Sequence, residues 1–571
     1  MYRSNPAFHP GWLGAFLKSG VLIALYACLL RAQEIPATMS IQVKADQPQG
    51  ILEPIWNYFG YDEPNYTYAP HGKKLLAELA AMSPVPVHIR THNLFTTGDG
   101  SFSLKWGSTN VYTEDANGKP VYDWKIIDRI FDTYRGLGIK PLVELGFMPQ
   151  ALSVHPEPYR HSFPQGQIFT GWAYPPKSYE KWADLVFHFV QHLRERYGDV
   201  ETRTWLWEVW NEPDIPYWKG TAEEYLRLYD YSADAVLRAL PGARVGGPDS
   251  TGPGNDKSAE FLRLFLEHCA RQSNYATGKT GAPLDFISFH PKGAPVFENG
   301  HVRMGIAHHL AAIDRGFKIV ASFPEWQKTP ILLGESDPEG CAACSAEQHP
   351  ENAYRNAPMY AAYTATVLSQ IYALAAQEKV NFQGAVTWAF EFEDQPYFAG
   401  FRDLATNGVD KAVLNAFRMF GLLNGGRIAA SSTGAVPSGE MLRAGVRGRP
   451  HVDAIATRRD REITVLAWNY QDDDIPAPDA PVDLAVSGMP DEATEALLEH
   501  FRVDGTHSNA YAQWKEMGSP ERPSAEQQKR LEDAGQLHQL CSPRWIAVKE
   551  GMVHLNFSLP RQGLSLIRIT W

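Results

Sequence analysis

A chain of 571 residues is longer than one ordinary core accommodates, so a large domain with at least one smaller module is expected. Its 44% hydrophobic and 21% charged residues are those of a globular protein with a sizeable core, not of a disordered one. A formal charge of −12 argues against a nucleic-acid partner, because phosphate binding needs clustered Lys and Arg, and a neutral ligand fits better.

At the N-terminus Arg3 and Lys18 precede or flank an apolar run at 20–30, which Arg31-Ala32-Gln33 follows. The run is too short to span a bilayer and suits the hydrophobic region of a secretory signal cleaved after Ala32. Residues 1–32 are therefore expected to be a signal peptide or N-terminal anchor, with export to the periplasm or medium and no other membrane association. The competing reading is a start codon assigned too far upstream, with a cytoplasmic protein beginning near residue 33. Leu25-Tyr26-Ala27-Cys28 has the outline of a lipoprotein box, which Tyr26 fits poorly.

From about residue 40 to 425, short apolar runs alternate with amphipathic stretches, the pattern of parallel strands joined by crossover helices. Eight runs can be counted, at 40–45, 85–92, 140–147, 204–210, 243–249, 284–290, 330–335 and 384–390. Helical spacing predicts helices at 124–137, 179–197, 222–240, 258–272 and 356–378. Eight strands with intervening helices predict an α/β fold, a (β/α)8 TIM barrel over residues 33–425. An open doubly wound sheet is disfavoured, because no glycine-rich phosphate loop follows the first run.

Beyond residue 425 the strands become short, at 452–457, 462–468, 482–486, 552–559 and 563–570, and predict a C-terminal β-sandwich over residues 426–571. A polar interruption at 507–540, with a short helix at 524–531, reads as a surface excursion that could reach back toward the barrel.

The odd, sparse cysteines Cys28, Cys269, Cys341, Cys344 and Cys541 exclude a disulfide scaffold. Cys341 and Cys344 could pair or bind metal. No second CxxC or His pair completes a zinc site, so no structural metal is expected.

Two carboxylates carry the chemistry. Trp207-Glu208-Val209-Trp210-Asn211-Glu212-Pro213 ends the fourth run, where Pro213 breaks the strand and leaves Glu212 at the barrel mouth. Ile331-Leu332-Leu333-Gly334-Glu335 is an apolar strand that stops at a carboxylate, costly to bury unless paired or used. The ordinary alternatives are a surface Glu after a turn-forming Asn, and a capping or ion-paired Glu. Strands four and seven face each other across a barrel mouth, so the two groups can converge. A pair about 5 Å apart suits glycoside hydrolysis with retention, Glu335 as nucleophile and Glu212 as acid/base. An anionic Glu335 would raise the proton affinity of Glu212 by like-charge repulsion.

On these segments, and on Tyr122-Asp123-Trp124-Lys125-Ile126-Ile127-Asp128 and Lys140-Pro141-Leu142-Val143-Glu144-Leu145-Gly146-Phe147-Met148-Pro149, the chain resembles glycoside hydrolase family 39, which holds β-xylosidases and α-L-iduronidases. The resemblance implies sugar-hydroxyl contacts for His92 after strand two and for Asn211, which would meet the 2-hydroxyl. It places His290 as a closing residue from strand six, and Phe147 and Trp388 as candidate subsite walls. For each His a satisfied core imidazole, and for the two rings core filling, is the ordinary alternative. Lys292 stands where the xylosidases show Tyr, and could recognise a carboxylate or pair with Glu335. Glu391 and Glu393 fall where sugar-binding acids are expected but at altered spacing, and could instead pair with Arg402. The expected function is removal of β-linked xylose from xylo-oligosaccharides, without a cofactor. The alternatives are the same mechanism on an α-L-arabinoside or uronide, or a non-catalytic carbohydrate-binding barrel.

Overall fold

The computed structural model describes residues 37–571 other than 84, 103, 105, 164, 165 and 170; the segment predicted as a signal, 1–32, lies outside the described residues. Residues 37–571 form one compact unit. No helix among the described residues is long and apolar enough to cross a membrane.

Among the described residues, eight parallel strands close a barrel in the chain order Tyr58–Tyr61, His88–Thr91, Lys140–Leu145, Leu206–Val209, Arg244–Thr251, Phe286–His290, Ile331–Leu333 and Phe382–Trp388. Helices cover the outside, so the strands are buried on both faces along most of their length. The predicted helices form with identifiable starts. The Thr221 side chain and Glu224 make a reciprocal cap on Ala222–Ala239, Ser178 caps Tyr179–Tyr197, and the Asn255 side chain accepts from Ser258 N to begin Asp256–Arg271. Gly60 in the first barrel strand lets the Trp388 ring lie across it, since a Cβ there would overlap that ring.

The first predicted barrel strand is corrected. Residues 40–45 belong to Met39–Ile51, which pairs antiparallel with Gly426–Ser432 and parallel with Ala480–Ser487 outside the barrel. Its burial alternates, Ile41, Val43 and Ala45 inward and Gln42 and Lys44 outward, the mark of a sheet with one wet face. The true first barrel strand, Tyr58-Phe59-Gly60-Tyr61, is buried at every position.

Met39–Ile51 joins the C-terminal strands in a sheet of nine among the described residues. Leu484 and Leu555 near one end of the ladder share a core with Leu498 and Ile567 near the other, so the sheet curls about its own interior. Three of its strands, Gly426–Ser432, Glu495–Val503 and His538–Ala547, lacked a clear signal in the sequence. The excursion forms helices Ala510–Glu516 and Ala525–Ala534. It does reach the barrel: Leu531 and Ala510 pack on Phe398 and Val409, and Tyr397 Oη donates to Gln528 Oε1 at 2.9 Å.

Candidate active site

Glu212, Glu335, His290, Lys292, Asp249 and Arg90 sit at or just past the C-terminal ends of barrel strands, where loops can vary without disturbing the closed sheet. Glu212 lies three residues beyond the fourth strand and Glu335 two beyond the seventh. The structure brings them together: one carboxylate oxygen of each, with a ring nitrogen of His290, lie within 4.8 Å of one another. Glu335 is 7% exposed.

Their surroundings differ in charge. Lys292 Nζ donates to Glu335 Oε2 at 2.6 Å, and Arg90 Nη1 lies 3.5 Å from Oε1. Burial opposes ionisation of Glu335, but Lys292, His290 and Arg90 together outweigh it and hold its carboxyl below the ordinary range. Glu212 moves the other way. Burial is the largest influence and raises it, Glu335 adds to the rise, and the hydrogen bond to His290 counters only part of both. The direction is that expected from the sequence, but desolvation ranks above like-charge repulsion as its cause.

His290 stands between the two. Nδ1 is 2.9 Å from Glu212 Oε1 and 3.7 Å from Glu335 Oε1, and Nε2 is 2.7 Å from Asp249 Oδ1. Burial works against its charge, but Asp249 and Glu335 prevail and push the imidazole up to about 10, so it is an imidazolium at neutral pH. These donor atoms could bracket a cation. Here the imidazolium, Lys292 and Arg90 already supply the positive charge.

Beneath the pair lies a charged layer centred on Arg90. Its Nε donates to Glu208 Oε2 at 2.7 Å, its Nη2 to Glu144 Oε2 at 2.7 Å and to Asn211 Oδ1 at 3.1 Å, and it pairs with Asp249. Arg90 also stacks over Trp388, 4.8 Å from the ring centroid. Asn211 is thus oriented through its oxygen by the same cation that approaches the nucleophile. The sequence reading missed Arg90, Glu144, Glu208 and Asp249 as site residues. The available signal was a charge inside an apolar strand, as in Leu142-Val143-Glu144-Leu145 and Leu206-Trp207-Glu208-Val209.

His92 is buried, with Nδ1 3.0 Å from Asp62 Oδ1 and Nε2 3.2 Å from Glu144 Oε1; burial lowers its proton affinity. Phe147 packs against His92, Trp106 and Trp210 with ring centroids 5.3, 4.8 and 4.9 Å away. Both Phe147 and Trp388 are buried, at 1% and 3% exposure, and pack within the core beside His92.

Glu391 and Glu393 are tied up away from the pair. Glu391 Oε1 accepts from Gly408 N at 2.6 Å, and burial pushes its carboxyl up to about 8. Glu393 accepts from the backbone of His71 and Gly72 and lies 2.9 Å from His71 Nδ1, at the start of helix Pro70–Ala81. Their suggested pairing with Arg402 is corrected. Arg402 pairs with Asp337 at 3.3 Å and Glu339 at 2.9 Å, and its Nε donates to Trp388 O at 2.9 Å.

Those two acids belong to the segment after the nucleophile, where Cys341 and Cys344 form a disulfide. Arg355 donates to the carbonyls of Cys341 and Cys344 at 2.6 and 2.7 Å. The CAAC segment is thus a stapled loop wrapped around buried guanidinium groups. Its first acid, Asp337, pairs with Lys292 and accepts from Trp388 N at 3.0 Å.

Residues 40–545 match the model for Glycosyl hydrolases family 39. The chain is 29% identical over 497 residues to the β-xylosidase of Geobacillus stearothermophilus, covering 84% of this chain and 86% of that protein. It is 27% identical over 379 residues to the α-L-iduronidase of Mus musculus, 62% of this chain and 56% of that one. The GH39 enzyme from Xanthomonas axonopodis pv. citri superposes with a TM-score of 0.74 at 22% identity, over 95% of this chain and 99% of that structure, and so shares the fold.

Proposed function

The chain belongs to glycosyl hydrolase family 39, and from that premise we propose that it is a retaining exo-glycosidase that removes β-linked xylose from xylo-oligosaccharides, working in the breakdown of xylan. The observation that carries the mechanism is that one carboxylate oxygen of Glu212 lies within 4.8 Å of one of Glu335. A pair at roughly 5 Å lets one group attack the sugar directly, whereas inversion needs about 6.5–9.5 Å to seat a water.

In the first step Glu335, ionised and held by Lys292, attacks the anomeric carbon while Glu212 gives its proton to the leaving oxygen. The glycosyl ester removes the Glu335 charge, and with it one of the influences that raises Glu212. Glu212 then takes a proton from water as the water attacks the ester, and the configuration returns.

The β-xylosidases of Geobacillus stearothermophilus and Caldicellulosiruptor saccharolyticus, 29% and 28% identical over most of this chain, support xylose as the glycone. Lys292 and the α-L-iduronidase relatives favour a uronide as the second reading, with Lys292 meeting the sugar carboxylate. Against it, Lys292 Nζ already bonds Glu335 and Asp337. Export through the N-terminal segment is part of the proposal, and the Cys341–Cys344 disulfide supports an oxidising compartment.

The test is a panel of 4-nitrophenyl glycosides: β-xyloside, α-L-arabinosides, β-glucoside and α-L-iduronide. The β-xyloside should give the highest kcat/KM, and NMR should show β-xylose as the first-formed sugar. A dominant signal on the iduronide would replace the substrate, and first-formed α-xylose would replace the mechanism.

A further inference from the structure

Asp249, near the end of the fifth barrel strand, contacts the acid/base apparatus twice and Arg90 once. Its backbone carbonyl accepts the Glu212 N–H at 2.9 Å. Its Oδ1 is 2.7 Å from His290 Nε2, and His290 Nδ1 is in turn 2.9 Å from Glu212 Oε1. Its other oxygen pairs with Arg90. Both Asp249 and Glu212 have left-handed backbones, with φ of 52° and 45°, a conformation that residues with a Cβ adopt at a cost and keep where the surroundings impose it.

We propose that Asp249 is a positioning residue for the acid/base: acting through His290, it determines which oxygen of Glu212 carries the transferable proton. The inference rests on the assignment of Glu212 as the acid/base.

A neutral imidazole whose one proton sits on Nε2, the nitrogen 2.7 Å from the Asp249 carboxylate, presents a bare Nδ1 to Glu212 Oε1, which would place the Glu212 proton there and turn it away from the substrate. A doubly protonated ring donates from Nδ1 as well, so Glu212 Oε1 becomes the acceptor and Oε2 is left to hold the proton. The charge of Asp249 favours that ring state. Glu212 from strand four and Glu335 from strand seven face Nδ1, and Lys292 from strand six and Arg90 from strand two stand behind them on Glu335. Among the described residues, the anion that meets Nε2 is Asp249.

Gly334 supports the same view independently. A Cβ there would overlap Asp249 Oδ1 and stand 2.9 Å from His290 Nε2. The residue before the nucleophile therefore has no side chain where the Asp249–His290 contact must close.

The experiment compares Asp249→Asn with wild type on two substrates of the preferred glycone, an activated 2,4-dinitrophenyl glycoside and the unactivated disaccharide. General acid assistance is worth about 10²–10⁴-fold, and only the unactivated leaving group needs it. We expect kcat/KM to fall on the order of 10²-fold for the disaccharide and less than about fivefold for the aryl glycoside. Adding His290→Gln to Asp249→Asn should cost less than about threefold beyond His290→Gln alone, because both act along one path. Equal losses on the two substrates, no loss on either, or additive losses in the double variant would overturn the proposal. Should Asp249→Asn fail to fold, Gly334→Ala separates the same contact without removing a charge, and the same contrast between substrates decides. Glu212→Ala is run in parallel: if it lacks the leaving-group contrast, the acid/base assignment fails, whereas a contrast in Glu212→Ala alone defeats only the role of Asp249.

Discussion

Lys292 Nζ lies 2.6 Å from Glu335 Oε2, so a full positive charge, not a phenol, faces the nucleophile. Removing it leaves His290 and Arg90 to oppose the burial that disfavours the carboxylate. Activity requires Glu335 ionised, and it rises as pH climbs through the Glu335 titration and falls as pH climbs through that of Glu212. Lys292→Met should therefore move the acid limb of the kcat/KM profile to higher pH by about one unit or more. An acid limb that stays in place would show that Lys292 does not set the state of the nucleophile.

The loop after the nucleophile should loosen in acid. Burial opposes the charge of Glu339, but Arg355 and Arg402 overcome it and hold the carboxyl at about 2, below its ordinary 4.5. A depressed carboxyl contributes stability above its ordinary value, and that contribution is lost as pH falls from about 4.5 toward 2. Glu339→Gln leaves two buried guanidinium groups without this partner and should cost about 3 kcal/mol at neutral pH. Thermal melts of both proteins should converge as pH falls below about 3. A gap of constant size from pH 7 to 3 would refute the ionic account of the loop.

Gly60→Ala should act at a distance from the chemistry. The added methyl overlaps the Trp388 ring, and Trp388 is held by the stacked Arg90 guanidinium and by the bond from its backbone N–H to Asp337. Overpacking of a buried site costs about 1–3 kcal/mol, and here the displaced ring stacks on Arg90, which approaches Glu335. A lower Tm together with a loss of kcat/KM of at least tenfold is expected. Wild-type kinetics in the variant would mean that the ring does not shape the site.

Much of the barrel was legible because its strands are apolar runs that end in functional groups, and the chain direction puts those ends on one face. Glu212 and Glu335 stood out for that reason, each a carboxylate where an apolar strand stops. Strand one was misassigned because Ile41, Val43 and Ala45 resemble a barrel strand until the alternating Gln42 and Lys44 are given weight. Arg90 and Asp249 were passed over because their meaning is relational. A charge in a strand reads as an anomaly until the anions or cations from neighbouring strands are placed around it, and no local spacing links residues 90, 208 and 249. The carboxylates Glu391 and Glu393 show the converse. Their position after strand eight suggests sugar contacts, and the backbone N–H groups that bond them, of Gly408 and of His71 and Gly72, come from parts of the chain that no local spacing brings together.

The central claim is that Glu335 becomes covalently bonded to the sugar. Incubation with a 2-deoxy-2-fluoro glycoside bearing a dinitrophenyl leaving group slows hydrolysis of the glycosyl ester, so the intermediate accumulates and can be mapped by peptide mass spectrometry. The label should appear on the peptide containing Ile331-Leu332-Leu333-Gly334-Glu335, with one sugar per chain and loss of activity in step with labelling. A label on any other carboxylate, or time-dependent turnover with no adduct and an inverted first product, would contradict it.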